Sequence, residues 1–274
     1  FQLKYVSGLR LTSLMLSNAY MNLHAENCGY VGLDRVRLGY CATNAVFAGV
    51  NTRLDVSHSL IEQSLFNGIQ ASTGSTVKIV NDLLRDNGRA NVCLQGGNAE
   101  VKNSILEAVG SQQYVYYYAN TGTLVSDYNN IRATDGANVR GGTGLTPARF
   151  LIDWQISTAF SNDVSSFGYE AGFANADGGD FHLKSTNGRY DAVSGVFVTN
   201  DVETSRLIDL GTQTGPYADY TNEPAENGGR INVGVYGNTA EASKSPPAGT
   251  GIIVPLTMSD GGTIRNTVEM HWTY

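Results

Sequence analysis

The chain is poor in several things at once, and each shortage closes off a class of protein. Proline is scarce, at 6 of 274 residues, while glycine reaches 32. Such a balance favours many tight corners over a disordered tract. No stretch approaches the ~18 to 20 consecutive apolar residues of a membrane-spanning helix. Positive charge is short: 18 Lys and Arg stand against 25 Asp and Glu, for a net charge of -7. A surface that tracks phosphates needs clustered cations, so nucleic acid is excluded as a partner. A carboxylate-rich substrate would also be repelled unless a local basic patch or bound cations intervened. Three cysteines, Cys28, Cys41 and Cys93, form no CxxC and read as small buried hydrophobes. The four histidines (His24, His58, His182, His271) are dispersed, and no pair has the spacing of zinc ligands. There is no GxSxG elbow, and the glycine-rich GANVRGGTGLTPARF lacks the GK[ST] ending of a phosphate loop. No initiator Met or signal peptide is present, and Phe1 begins inside an apolar pattern with Leu3 and Tyr5. The expectation is a processed or excised piece of something longer.

What is abundant is tyrosine, at 15 against 9 Phe and 2 Trp, together with Asn, Ser, Thr and Gly. That mixture resembles secreted, carbohydrate-facing proteins. It is also arranged periodically. The stretch Ser75 to Gly97, STVKIVNDLLRDNGRANVCLQGG, holds three short apolar pieces (Val77 and Ile79, Leu83 and Leu84, Val92 and Leu94) separated by small polar or glycine corners. Leu14, Val36, Leu60, Leu83, Ile105 and Tyr128 recur every 22 to 24 residues. Leu23, Val46, Ile69, Val92 and Val115 step by 23, and Val31, Leu54, Val77, Val101 and Leu124 by 23 or 24. Three columns on one period define a solenoid. Leucine-rich repeats share the period, but their LxxLxLxxN pattern is missing and no unit shows helical spacing over ten residues. Instead the second piece alternates, with Val46/Ala48, Ile69/Ala71, Val92/Leu94 and Val115/Tyr117 expected to point inward. The fold predicted is all-β: a right-handed single-stranded parallel β-helix, with like residues about 4.8 Å apart in successive coils.

Regular coils are expected to about residue 131. An irregular region and a closure follow over 132–244, with Trp154 a packing residue. Thr12, Asp34, His58, Asn81, Asn103 and Ser126 fall in one polar corner column, which makes His58 a corner residue rather than a base. Residues 245–251, SPPAGTG, read as a linker. IIVPLTMSDGGTIRNTVEMHWTY then reads as a trailing β segment, either of a following domain or a terminal hairpin.

Between Gly172 and Lys244 the chain resembles a C-terminal signature of bacterial secreted right-handed β-helix proteins. That family commonly reads DFHL or DYHL, then SPxIDAGD, then NGGRINxGAYG. Asp180-Phe181-His182-Leu183, Ile208-Asp209 and Asn227-Gly228-Gly229-Arg230-Ile231-Asn232 match it. Arg206-Leu207 stands where Pro-Ala is usual, and Leu210-Gly211-Thr212 where Ala-Gly-Asp is usual. The resemblance implies a secreted or cell-surface β-helix, frequently one module of a large protein, and carries no defined reaction. Its matched residues imply turn and capping chemistry that closes the last coil.

Candidate chemistry is sparse. Glu62, Arg85 and Glu107 succeed one another at one coil position, which would set the two carboxylates about 9 to 10 Å apart. An inverting glycosidase holds its pair roughly 6.5 to 9.5 Å apart, and Arg85 could serve a polysaccharide lyase. The plainer reading is a salt ladder on a solvated face, in which Arg85 lowers both carboxyl pKa values. A calcium ion could be held among Asp82, Asp86 and Asp127; no other cofactor is implied. If Val115 and Tyr117 face the core, Tyr116 and Tyr118 face out and offer flat rings to sugars, unless the 132–171 loop covers them. The function expected is an extracellular scaffold or interaction module that contacts polysaccharide or neighbouring modules. A polysaccharide lyase or glycoside hydrolase acting along a groove is the rival. A chain that stacks its N-terminal coil onto another copy is the third reading.

Overall fold

In a computed structural model, residues 1–247 are described, and they form a parallel β-solenoid of about six turns. Three sheets make its sides. The first has seven strands from Gln2–Lys4 to Asn138–Gly142, the second six from Leu9–Thr12 to Thr123–Asp127, and the third six from Met15–Ser17 to Asn130–Thr134. Every neighbouring pair within them is parallel. Each coil contributes one short strand per side, and the strands alternate in and out, so every second side chain enters one shared core. Leu23, Val46, Ile69 and Val92 stack in register on the first side, and Val31, Leu54 and Val77 on the second. All seven are fully buried. The trailing segment, 248–274, lies outside the described residues, as does His271.

Corners have a common backbone solution. Between the second and third sides, Ser13, Arg35, His58, Asn81, Asn103 and Tyr128 all adopt left-handed φ of 50 to 59°. Between the third and first sides, Asn18, Tyr40, Gln63 and Asp86 do the same, at 50 to 57°. A residue with a Cβ resists this conformation, Asn least of all. Repetition at the same point of each coil shows that the turn, not the side chain, dictates it. The polar column expected from the sequence is therefore displaced: Thr12 and Asp34 are strand ends one position before the turn, and Ser126 lies two before it. His58, Asn81 and Asn103 occupy the turn itself.

Just after this turn runs an internal polar ladder. Ser59 Oγ accepts the Val36 N–H, Asp82 that of Ser59, Ser104 Oγ that of Asp82, Asn129 that of Ser104, and Ser166 Oγ that of Asn129, at 2.7 to 3.1 Å. A buried N–H left without a partner costs about 1–3 kcal/mol, so short acceptors recur where the corner leaves a donor free.

Three features depart from expectation. The seventh strand of the first sheet, Asn138–Gly142, lies inside the stretch expected to be irregular. Gly141 is needed there because a Cβ would sit 2.2 Å from the Tyr114 ring. Second, the last coil is closed by residues before the family-like signature. The helix Leu151–Ser157 lays Trp154 over the core, 5.9 Å from the Tyr116 ring and 6.4 Å from that of Tyr118. Trp154 Nε1–H donates to Asp163 at 2.9 Å. Third, the signature segment packs along the flank of the third sheet. Leu60, Leu83 and Ile105 point outward and pack beneath Ala171, Phe181, Leu183, Leu207, Ile208 and Val233 in a second core. These strands are buried on both faces, hence the paired apolar residues Leu60-Ile61, Leu83-Leu84 and Ile105-Leu106. The lateral segment reaches Ser245, whose hydroxyl donates to Asp209 at 2.9 Å, so 245 belongs to it rather than to a linker. At the opposite end, Leu3, Val6, Leu11, Leu14 and Leu16 of the first coil are only partly buried.

Candidate functional site

The residues singled out from sequence do not assemble into a catalytic centre. Glu62, Arg85 and Glu107 do share a register position, but not as a solvated ladder. Glu62 is 2 % exposed and bound to Arg37 at 2.6 Å, Arg85 turns to Asp86 at 2.7 Å beneath the Phe181 ring, and Glu107 lies 3.8 Å from Arg132. Burial pushes the Glu107 carboxyl up, and Arg85 and Arg132 do not fully offset it, the reverse of the lowering expected from Arg85. The cause is the lateral segment, which replaces water over this flank.

Tyr116 and Tyr118 are inward residues, not ring platforms. Val92 pairs with Tyr116 and Leu94 with Tyr118, while Tyr117 aligns with the outward Cys93. The 23-residue step lengthens to 24 here, because the corner around Gly110–Gln113 holds two extra residues while the corner at Gly96–Gly97 is one shorter. A slip of one residue exchanges the two faces. Tyr116 is 0 % exposed and its hydroxyl lies 2.7 Å from Ser126 Oγ.

The calcium candidates are separated as well. Asp82 is fully buried and its carboxylate accepts the N–H groups of Ser59 and Val80 at 2.7 and 2.9 Å. Burial holds its carboxyl well above the usual range. Asp86 is bound by Arg85, and Asp127 accepts the Ser165 N–H at 2.7 Å. Among the described residues, no three His, Cys, Asp or Glu side chains are grouped to hold a metal ion.

His182 occupies a different kind of site. Its Nδ1 lies 2.6 Å from Asp180 and its Nε2 3.6 Å from Glu241, while its ring stacks at 3.6 Å on Tyr236. With carboxylates at both nitrogens, this is a clasp inside the lateral segment. Asp180 in turn meets Arg189, which binds Asp201 at 3.0 Å.

The candidate site lies on the outer face of the second sheet. Its middle positions, Arg10, Gly32, Asp55, Lys78, Glu100 and Val125, are in register across six coils. Arg10, Gly32, Asp55 and Lys78 of this row form the floor of a groove of about 280 Å³, lined also by Tyr30, Asp34, Ser57 and Tyr217. Gly32 creates the space: a Cβ there would sit 2.8 Å from the Tyr30 hydroxyl. Tyr217 is brought from the lateral segment. Its hydroxyl donates to Glu100 at 2.9 Å, and its ring centroid lies 5.9 Å from Lys78 Nζ. The corner residue Asn103 anchors it, donating to the Tyr217 carbonyl at 2.9 Å and accepting the Thr212 N–H at 2.8 Å. Asn81 likewise donates to the Asn232 carbonyl, so two corner residues hold the lateral segment in place.

Each groove charge has a partner. Asp34 is met by Arg10 at 3.2 Å and by His58 Nδ1 at 3.0 Å, and Asp55 by Arg53 at 3.2 Å. Burial alone would raise the Asp34 carboxyl, but the His58, Ser57 and Arg10 contacts outweigh it and hold it below its ordinary value. Contact with the Tyr217 hydroxyl raises Lys78 despite some burial. Burial, then Glu100, pushes the Tyr217 phenol up. A carboxylate held ionised is poorly suited to general-acid work. The outward charges at rung spacing were readable in the sequence, as Arg10, Asp55, Lys78 and Glu100. Tyr217 was not, because it arrives from more than a hundred residues away.

Fold and site together define a parallel β-solenoid with a lateral segment that supplies one wall of a surface groove. No protein-family model matches the chain, and neither a curated protein nor a solved structure matches it.

Proposed function

We propose that this protein is a secreted or cell-surface β-solenoid module that binds polysaccharide and acts as a scaffold rather than an enzyme. The observation that carries this reading is the groove on the second sheet, where Tyr30 and Tyr217 flank a floor of hydrogen-bonding side chains. Aromatic rings offer apolar faces to the C–H surfaces of sugars, and their hydroxyls remain available for hydrogen bonds. Resemblance of residues 172–244 to secreted bacterial β-helix proteins supports the extracellular setting, as does the polar, tyrosine-rich composition.

Against a lyase or hydrolase stands the position of Glu62, Arg85 and Glu107 beneath the lateral segment, where a polymer could reach them only by displacing it. Head-to-tail stacking of copies would likewise have to displace the Trp154 helix. Neighbouring modules are better placed at the N-terminal coil, where Leu3, Leu11 and Leu16 are only partly covered.

Affinity electrophoresis of the purified chain through gels cast with different polysaccharides tests the reading. Retardation by at least one glycan, without release of shortened products, is the expected result. Turnover of any glycan would overturn the scaffold assignment.

A further inference from the structure

The groove's charge arrangement says which glycans it should take. We infer that the second-sheet groove selects neutral, hydroxyl-rich glycans and rejects uronates; this rests on the polysaccharide-binding reading above. Two cations line the groove, Arg10 and Lys78, and two carboxylates, Asp34 and Asp55. Both cations are already engaged: Arg10 with Asp34 at 3.2 Å, and Lys78 with Glu100 at 3.9 Å and the Tyr217 ring. A uronate polymer brings one negative charge per sugar. Each would have to take a cation from its present partner and lie beside Asp34 and Asp55, leaving a carboxylate poorly compensated.

A neutral sugar meets no such conflict. Its vicinal hydroxyls can donate to a carboxylate oxygen and accept from the guanidinium or ammonium paired with it, so the ion pair stays intact while both ends gain a hydrogen bond. Tyr30 and Tyr217 supply apolar faces at the sides. At about 280 Å³, the groove sits at the small end of ligand sites, roughly 300 to 1,000 Å³, which suits a short stretch of a chain rather than a long polymer segment. The whole chain, at net charge -7, adds a long-range repulsion of polyanions.

The test measures binding by isothermal calorimetry for soluble neutral oligosaccharides of glucose, galactose and mannose, and for oligogalacturonate and oligoalginate. It uses the wild-type chain, Tyr30→Ala and Tyr217→Ala. Expected are binding of at least one neutral oligosaccharide, a change under ~2-fold between 50 and 500 mM NaCl because no net charge is neutralised, and ~10-fold or greater weakening in Tyr30→Ala, as for a central aromatic anchor. Tyr217→Ala should weaken it comparably. Tyr30 belongs to the coils themselves, its ring 5.6 Å from the Arg53 guanidinium, so its variant keeps the test valid should Tyr217→Ala loosen the lateral segment. Preference for a uronate would overturn the neutral-glycan inference while leaving polysaccharide binding intact. Neutral binding unchanged in both variants would remove it from this groove. Absence of binding to every glycan would overturn both readings.

Discussion

Replacing Trp154 by alanine should unlock the C-terminal end of the solenoid while leaving the N-terminal coils unaffected. The indole is 3 % exposed and covers Tyr116 and Tyr118, and its N–H binds the buried Asp163. Truncating a buried Trp to Ala costs about 3–5 kcal/mol. Asp163 would lose one donor but keep Ser126 and Ser166 at 2.8 and 2.7 Å, so the lost hydrogen bond adds about 1 kcal/mol. A total of about 4–6 kcal/mol corresponds to a fall in Tm of ~8–24 °C for a chain of this size. Because solenoid coils interact mainly with their neighbours, hydrogen exchange should rise first in Thr123–Asp127 and Asn138–Gly142. Leu23–Glu26 should stay protected. Trp154→Phe, which keeps a ring but loses the donor, should cost about 1–3 kcal/mol. A Tm for Trp154→Ala within ~2 °C of wild type, or exchange rising evenly along the chain, would refute the assignment of this helix as the end closure.

Three further outcomes follow from particular side chains. Tyr116→Ala should cost about 3–5 kcal/mol, while Tyr117→Ala, which loses contacts with Arg89 at 4.5 Å and the Tyr114 ring at 5.1 Å, should cost about 2 kcal/mol or less by chemical denaturation; equal costs would contradict the 24-residue step. Burial raises the Glu223 carboxyl to about 7 while its Oε1 accepts the Asn232 and Asn238 N–H groups. The folded state therefore prefers the protonated acid, and stability should be lost as pH rises from about 4.5 to 7, by up to ~3 kcal/mol. Glu223→Gln, which still accepts both bonds, should flatten that part of the profile, and an unchanged slope would sink the assignment. Gly32→Ala should leave the melting temperature within ~2 °C while displacing the Tyr30 ring and weakening glycan retardation; full retention of binding would show that Tyr30 does not shape the groove.

The period was legible because Leu23, Val46, Ile69 and Val92 occupy one repeated environment, and a repeated environment asks for the same kind of side chain. What failed was whatever broke the repetition. Two extra residues near Gly110, less one lost at Gly96–Gly97, turned Tyr116 and Tyr118 inward, and the alternation pattern gives no warning of length changes inside polar corners. The column through Leu14, Val36 and Leu60 mixed an inward corner position with an outward strand position, since Leu60 aligns with Arg37 rather than Val36. Yet Leu60-Ile61, Leu83-Leu84 and Ile105-Leu106, apolar on both faces, were a readable sign that something covers the third sheet. Which segment does so was not readable, because the pairing of Asn81 with Asn232 spans 151 residues. The groove shared that fate: its floor follows the repeat, and its second wall does not.

The lateral segment also changes how the molecule must fold and come apart. A bare solenoid can fray one coil at a time, since each rung answers only to the next. Here Leu60, Leu83 and Ile105, from three successive coils, are bolted to one strip of chain. Those coils can assemble as soon as they exist, but the strip closes only after some hundred further residues have been made, a long loop that is slow to find its place. Once closed, it joins the middle rungs into a single unit that opens together. Native-state hydrogen exchange should then show one shared opening energy from Leu60–Glu62 through Ile105–Val109; a staircase of values, rung by rung, would mean the strip binds without coupling.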